Sequence, residues 1–231
     1  MTPWARRAED GLRLAVAGTE ALCRPSGALW LTDESALIVA DLHLEKGSAF
    51  ARRGQLLPPY DTGETLTRLE LEAEALGPRT IVFLGDTFHD GGAEARLCPA
   101  DADRLVALAR GRTLVWVLGN HDRVGPSALP GEALAALEIG GVVLVHEPVL
   151  GRASGEVAGH LHPCARVAGA GRRRCFVGDG ERLILPAFGA YAGGLNVRDG
   201  AICGLLGHGR LAVVLGRSRV HLVPWRALRG D

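Results

Sequence analysis

Leu114-Val115-Trp116-Val117-Leu118-Gly119-Asn120-His121-Asp122 is the stretch on which the reading of this chain turns. Five apolar residues run without a break and then give way to a glycine and three polar side chains. A short apolar run bounded by turn residues reads as a buried β-strand. Asn and His serve poorly as core, so their position at the carboxyl end of a strand points to chemistry.

The same construction recurs on either side. Upstream, Ala36–Ala40 runs into Asp41-Leu42-His43, and Ile81–Leu84 runs into Gly85-Asp86. Downstream, Val142–Val145 runs into His146, and Val157-Ala158 into Gly159-His160-Leu161-His162. In α/β sheets, ligands bind in the crevice beyond the carboxyl ends of the strands. The five strand ends would therefore deliver Asp41, His43, Asp86, Asn120, His146, His160 and His162 to one rim. Alternation along an extended strand predicts that His160 and His162 share a face. His43, His89, His121, His146, His160 and His162 lie in or beside these motifs, six of the eight histidines. His208 and His221 read as surface or packing residues.

Further β-rich runs are Leu12–Ala17, Ala28–Leu31, Thr80–Leu84, Thr113–Leu118, Glu156–Ala158, Arg182–Leu185 and Ala212–Leu215. Two segments read as helices. Asp61–Leu76 places Leu66, Leu69, Leu71 and Leu76 near helical spacing, has Asp61 as a candidate N-cap, and stops at Gly77-Pro78. Ala100–Ala109 carries Leu105, Val106 and Leu108 on an apolar side. Strands mixed with helices predict a layered α/β architecture. With no repeats or long linkers, residues 1–231 read as one domain.

Bulk properties narrow the function. With 47% hydrophobic residues, a sizeable core can form. No apolar run approaches the roughly 18 residues of a membrane span. Met1–Arg7 has no apolar h-region or cleavage site, so a cytoplasmic protein is expected. The five cysteines, Cys23, Cys98, Cys164, Cys175 and Cys203, are odd in number and widely spaced, against a disulfide framework or a zinc ribbon. The net charge is zero, so nucleic-acid binding would have to rest on a local patch. The donor set of imidazole, carboxylate and amide oxygen without thiolate suits Mn²⁺, Fe²⁺ or Zn²⁺. Seven donors are too many for one ion and fit two that share a carboxylate, the arrangement that clamps an in-line displacement at phosphorus.

Taken in order, Asp-x-His, Gly-Asp, Gly-Asn-His-Asp, His and Gly-His-x-His resemble the motifs of the calcineurin-like metallophosphoesterase superfamily. The resemblance implies a four-layer αββα sandwich of two mixed β-sheets flanked by helices. It implies that Asp41, His43 and His162 hold one divalent ion, that Asn120, His146 and His160 hold the other, and that Asp86 bridges them. It further implies that a hydroxide held between the metals attacks phosphorus and that His121 protonates the leaving oxygen. Asp122 would orient His121, or else cap a turn.

Gly85-Asp86-Thr87-Phe88-His89-Asp90 and the terminal Asp122 depart from the protein-phosphatase pattern. Asp41–Gly47, Gly85–His89 and Leu183–Asn196 resemble the ligase-associated DNA-repair nucleases, the PdeM subgroup. That resemblance implies Mn²⁺-dependent endonuclease action on single-stranded DNA, in association with a DNA ligase, a helicase and an exonuclease. His89, Arg172, Arg173 and Tyr191 are candidate substrate contacts. His89 could instead make a supporting hydrogen bond, the arginines could be solvated surface, and Phe188 could stack a base or sit in the core. Two other functions stay open: a phosphodiesterase or phosphomonoesterase of small nucleotides, and a catalytically silent metal-binding scaffold for repair partners.

Overall fold

The computed structural model describes residues 5–8, 11–151 and 153–231; of the Met1–Arg7 segment, Met1–Trp4 lie outside the described residues. An antiparallel meander, β1 (Ala5–Ala8), β2 (Gly11–Val16), β3 (Thr19–Cys23) and β4 (Leu29–Leu31), leads into β5 (Ala36–Ala40). From β5 the sheet turns parallel through β6 (Thr80–Leu84), β7 (Thr113–Val117) and β8 (Glu132–Leu134). Helices α1 (Lys46–Ala51) and α2 (Asp61–Leu76) lie between β5 and β6, and α3 (Pro99–Leu108) between β6 and β7.

The second sheet uses β9 (Ala136–Ile139), β10 (Val142–Val145), β11 (Glu156–Ala158), β12 (Cys164–Val167), β13 (Gly171–Gly178), β14 (Arg182–Ile184), β15 (Leu211–Leu215), β16 (Val220–Pro224) and β17 (Leu228–Arg229). Its main order is β16-β15-β13-β14-β11-β10-β9, with β12 joining β13 to β17. Strands β10, β11 and β14 run parallel, and the remaining pairs are antiparallel. Both sheets are mixed, as expected.

The continuous apolar runs have a direct cause. β5, β6 and β7 are covered on both faces, so successive residues enter different cores. Ala36, Ile38, Val82, Leu84, Val115 and Val117 face the interior between the sheets, with Phe176, Leu183 and Val213 of the second sheet. Leu37, Val39, Ile81, Phe83, Leu114 and Trp116 face outward under Leu66 and Leu69 of α2 and Leu105 and Leu108 of α3. Truncating such a leucine to alanine costs about 2–5 kcal/mol. On the outer face of the second sheet, Cys175, Val177, Ile184 and Val214 pack under Ile202, Leu206 and Leu228. That fourth layer is thin: its helix, α4 (Gly200–Cys203), is one turn long.

The predicted helix Asp61–Leu76 is observed with those bounds, and Ala100–Ala109 appears as Pro99–Leu108 with the proline at the start, but Leu71 and Val106, expected on the apolar sides, face solvent. Asp61, however, is not the N-cap. Tyr60 holds that position, and the Asp61 carboxylate instead accepts a 2.8 Å hydrogen bond from the main chain of Gly47. No helix among the described residues is long and apolar enough to cross a membrane.

Candidate metal centre

The parallel strands β5, β6 and β7 of one sheet and β10 and β11 of the other end at a common rim. The two sheets are joined there: Phe188, just past β14, donates its amide to the Ala40 carbonyl at 2.8 Å, and Gly189 donates to Asp41. At this rim the backbone enters the left-handed region at Asp41 (φ 54°), His43 (47°), Asp86 (46°), His160 (68°) and His162 (45°). Side-chain-bearing residues adopt this conformation at a cost of about 1–2 kcal/mol each. Hydrogen bonds hold them: Asp41 and His43 donate amides to the carbonyls of Gly85 and Asp86, and the His160 amide donates to the Asp41 carboxylate at 3.0 Å.

These turns overturn the expected alternation. β11 stops at Ala158, and His160 and His162, both with positive φ, are sent to different clusters. Asp41-Leu42-His43 follows the same pattern of two left-handed residues around a leucine.

The structure brings all seven predicted ligand residues together in two adjoining groups. Asp41, His43 and His162 form one, with 3.2 Å between His43 Nε2 and His162 Nε2 and 3.2 Å between His162 Nε2 and Asp41 Oδ1. Asp86, His146 and His160 form the other, with 3.2 Å between His160 Nδ1 and His146 Nε2. Asn120 Oδ1 lies 3.0 Å from His146 Nε2. Asp86 spans both: Oδ1 is 3.4 Å from His146 Nε2, and Oδ2 is 4.0 Å from His43 Nε2.

The donor atoms fit divalent ions. Ligand bonds of roughly 2.0–2.2 Å place neighbouring donors about 3.0–3.4 Å apart in tetrahedral or octahedral geometry, the spacing seen here. His146 Nδ1 lies 3.3 Å from the Leu84 carbonyl, which can only accept, so Nδ1 carries a proton and Nε2, which faces Asn120, Asp86 and His160, is the atom left to take a metal. A neighbouring carbonyl that sets the tautomer is the usual support of a metal-binding imidazole. Two glycines make the close approach possible. A Cβ on Gly85 would lie 2.1 Å from His146 Nδ1, and one on Gly119 would lie 2.3 Å from the amide and Oδ1 of Asp86.

Electrostatics divide the two groups. Burial, with His162 alongside, holds His43 down at about 3. Burial pushes His146 down as well, but its hydrogen bond to Asp86 and the charges of Asp41 and Asp86 outweigh this and raise it to about 9. Burial would raise Asp86, yet His146 and the His121 amide draw it down to about 2.

His121 lies at the edge of the centre, with Nε2 3.9 Å from Asp86 Oδ2. Its Nδ1 is 2.7 Å from the His89 carbonyl. The expected role of Asp122 in orienting His121 does not match the structure. Asp122 Oδ1 accepts from the amides of Gly119 (3.0 Å) and Asp86 (3.1 Å), and Oδ2 from those of Thr87 (2.7 Å) and Phe88 (3.2 Å). It caps the β6 and β7 loops together, and the His89 carbonyl orients His121.

The His89 ring stacks on His121 at 5.6 Å and lies 5.8 Å from His43, within the centre. The other substrate candidates make their hydrogen bonds elsewhere. Arg172 donates to the Gly194 carbonyl, Arg173 to that of Ala170 at 3.2 Å, and the Tyr191 hydroxyl to that of Pro58 at 2.9 Å. Phe188 is wholly buried in the core beneath Arg68, so base stacking by its ring is ruled out. Sequence reasoning passed over Lys46, whose charge disfavours protonation of both His43 and His89 and whose ammonium donates to the Tyr191 carbonyl at 3.1 Å. It is the sole lysine, three residues past Asp-x-His, a signal that was there to be weighed. Beside Asn120 and His146, a cavity of about 360 Å³ reaches Arg123.

Residues 35–181 match the model of the calcineurin-like phosphoesterase family. This chain belongs to that family. It is a metal-dependent phosphoesterase, and its two groups of ligating side chains are suited to the divalent ions such enzymes employ. The crystal structure of a nuclease, MPE, from Pseudomonas putida superposes on this phosphoesterase with a TM-score of 0.72 at 26% identity, covering 91% of this chain and 98% of that one. Yfce, a phosphoesterase from E. coli, aligns at 16% identity with a TM-score of 0.41, over 84% of this chain and 99% of that one. No curated protein sequence matches the chain.

Proposed function

We propose that this phosphoesterase is a binuclear-metal phosphodiesterase that cuts DNA, with single strands as substrate and Mn²⁺ as the metal. The observation that carries the reading is the position of Asp86. Its two oxygens face different clusters, which places one carboxylate where two ions could share it. Asp41, His43 and His162 would hold one ion and Asn120, His146 and His160 the other. Such a pair supplies an activated water and neutralises the phosphoryl oxygens. The likeness to a nuclease supports a diester in a nucleic-acid strand as the substrate.

The protein's own part in the reaction is largely proton management. Because the His89 carbonyl can only accept, His121 Nδ1 keeps its hydrogen, and Nε2 is the atom that exchanges a proton at the mouth of the site. His121 therefore acts as a general acid only as the imidazolium, donating from Nε2 to the leaving oxygen. His89 and Lys46 border the His43 side, where they would receive a flanking phosphate. By the resemblance of its motifs to the ligase-associated DNA-repair nucleases, the enzyme would serve DNA repair in the cytoplasm beside a ligase, a helicase and an exonuclease.

The test is to strip the protein of metal and restore Mn²⁺, Fe²⁺ or Zn²⁺ separately. Each form is then given single-stranded DNA, duplex DNA, RNA and cyclic nucleotides. Mn²⁺-dependent cutting of single strands is expected, with activity lost and metal content reduced in Asp86→Ala. Brisk hydrolysis of nucleotide monoesters with no strand cut would overturn the reading. Metal-replete protein inert towards every ester would point to a scaffold.

A further inference from the structure

A second cluster of charge lies on the rim that carries the metal centre. Arg68 of α2, Arg172, Arg173 and Arg174 of β13, and Arg217 after β15 line a cavity of about 480 Å³ together with Ser26. The chain as a whole is neutral, so five guanidinium groups around one cavity are a local concentration. Among the described residues, the carboxylates acting on them are Asp231, 3.7 Å from Arg172, and Glu64, whose charge reaches Arg68 and Arg174, where the Cys164 thiol acts as well. Arg68 Nε is buried without a hydrogen-bond partner.

Topology places this cavity beside the centre. β4 is antiparallel to β5, with Leu29 opposite Ile38, so the turn holding Ser26 lies at the carboxyl end of β5. β13 is antiparallel to β14, with Val177 opposite Ile184, so Arg172–Arg174 lie beyond the carboxyl end of β14. β15 is antiparallel to β13, with Cys175 opposite Val214, which brings Arg217 to the same end. The segment between cavity and centre is shared. Arg174 donates to the carbonyls of Ala187, Ala190 and Ala192, and Arg68 to that of Phe188, while Phe188 and Gly189 donate their amides to Ala40 and Asp41. A strand leaving the metal ions towards the β5 and β14 side thus meets the arginines next.

We propose that this cavity binds the sugar-phosphate backbone of the nucleic-acid strand to one side of the scissile bond. The inference rests on the DNA-cutting reading and names the surface that separates a strand from a small diester. Guanidinium groups take phosphate oxygens in pairs, and their contacts are independent of base sequence.

The experiment measures binding apart from catalysis. Full-length protein is stripped of metal and kept in EDTA, and a fluorescein-labelled oligodeoxythymidylate is titrated by anisotropy across a range of KCl concentrations. Arg173 and Arg217 are exposed, and the double variant Arg173→Ala/Arg217→Ala removes two charges from the cavity. Its log–log salt slope is expected to be shallower by about 1.4, since each phosphate contact to a single strand contributes about 0.7. Affinity at low salt should fall by about 10-fold or more. Arg79→Ala/Arg110→Ala removes the same charge at the amino ends of β6 and β7, on the opposite rim, and should change the slope less. A wild-type slope in the cavity variant, an equal change in the opposite-rim variant, or binding of inorganic phosphate without the strand would each overturn the proposal. Wild-type protein that binds the strand through these arginines but cuts none on Mn²⁺ addition would sink the nuclease reading and leave the cavity's role standing.

Discussion

Replacing Asp122 distinguishes a structural clamp from a catalytic partner. Its carboxylate receives four main-chain amides, from Gly119, Asp86, Thr87 and Phe88, at 2.7–3.2 Å, and all four residues are buried. In Asp122→Ala these donors lose their acceptor together. A buried donor left unpaired costs about 1–3 kcal/mol. Asp122 is itself only half-buried, so water can reach part of the space, and the low end applies. Four donors at about 1 kcal/mol each give a loss of about 3–4 kcal/mol. For a chain of this size that lowers the melting temperature by about 6–16 °C. Asp122→Asn keeps one acceptor oxygen but turns an NH₂ group towards the two amides on the other side, so an intermediate loss is expected. Calorimetric melts of metal-free protein, with metal content determined on the same samples, read this directly. Should Asp122→Asn melt with the wild type while turnover falls, the clamp is wrong and Asp122 acts through His121.

His121→Ala should slow turnover by about 10²–10⁴-fold, the usual contribution of a general acid, while metal content stays near two ions per chain; loss of metal in that variant would show the residue to be a ligand. The elevated pKa of His146, about 9 against its ordinary 6.5, sets a pH dependence. A metal needs the neutral imidazole, so binding at neutral pH displaces a proton, and affinity should rise about 10-fold per pH unit until about pH 9. In metal-free protein the sign for stability is opposite. A raised pKa stabilises fully below 6.5, and that contribution is lost as pH climbs to about 9. Calorimetric titrations with Mn²⁺ in buffers of different ionisation enthalpy would expose the released proton, and its absence would contradict the charge assigned to His146.

Much of the site was legible because ligands follow apolar runs directly. Asp41, Asp86, Asn120 and His146 each lie one to three residues past a strand, and a parallel sheet aligns such ends at one rim. The partition of His160 and His162, implied by the family resemblance, did not follow from strand alternation, because it depends on backbone torsions that alternation does not describe. For Asp122 the turn-capping alternative is the one that fits, whereas the orienting role implied by the resemblance does not, because the amides of a loop more than thirty residues earlier occupy its carboxylate.

The sequence by itself determined the strands that carry the ligands, whose short continuous apolar runs bounded by turn residues suit strands covered on both faces, and it determined the chemical character of the donors that end them. Which donors share a cation, how Asp86 comes to face both groups, and where Arg68, Arg172–Arg174 and Arg217 gather were decided by the packing of two sheets face to face. Those groupings join residues far apart in the chain, and only the closed tertiary structure brings them within hydrogen-bonding reach.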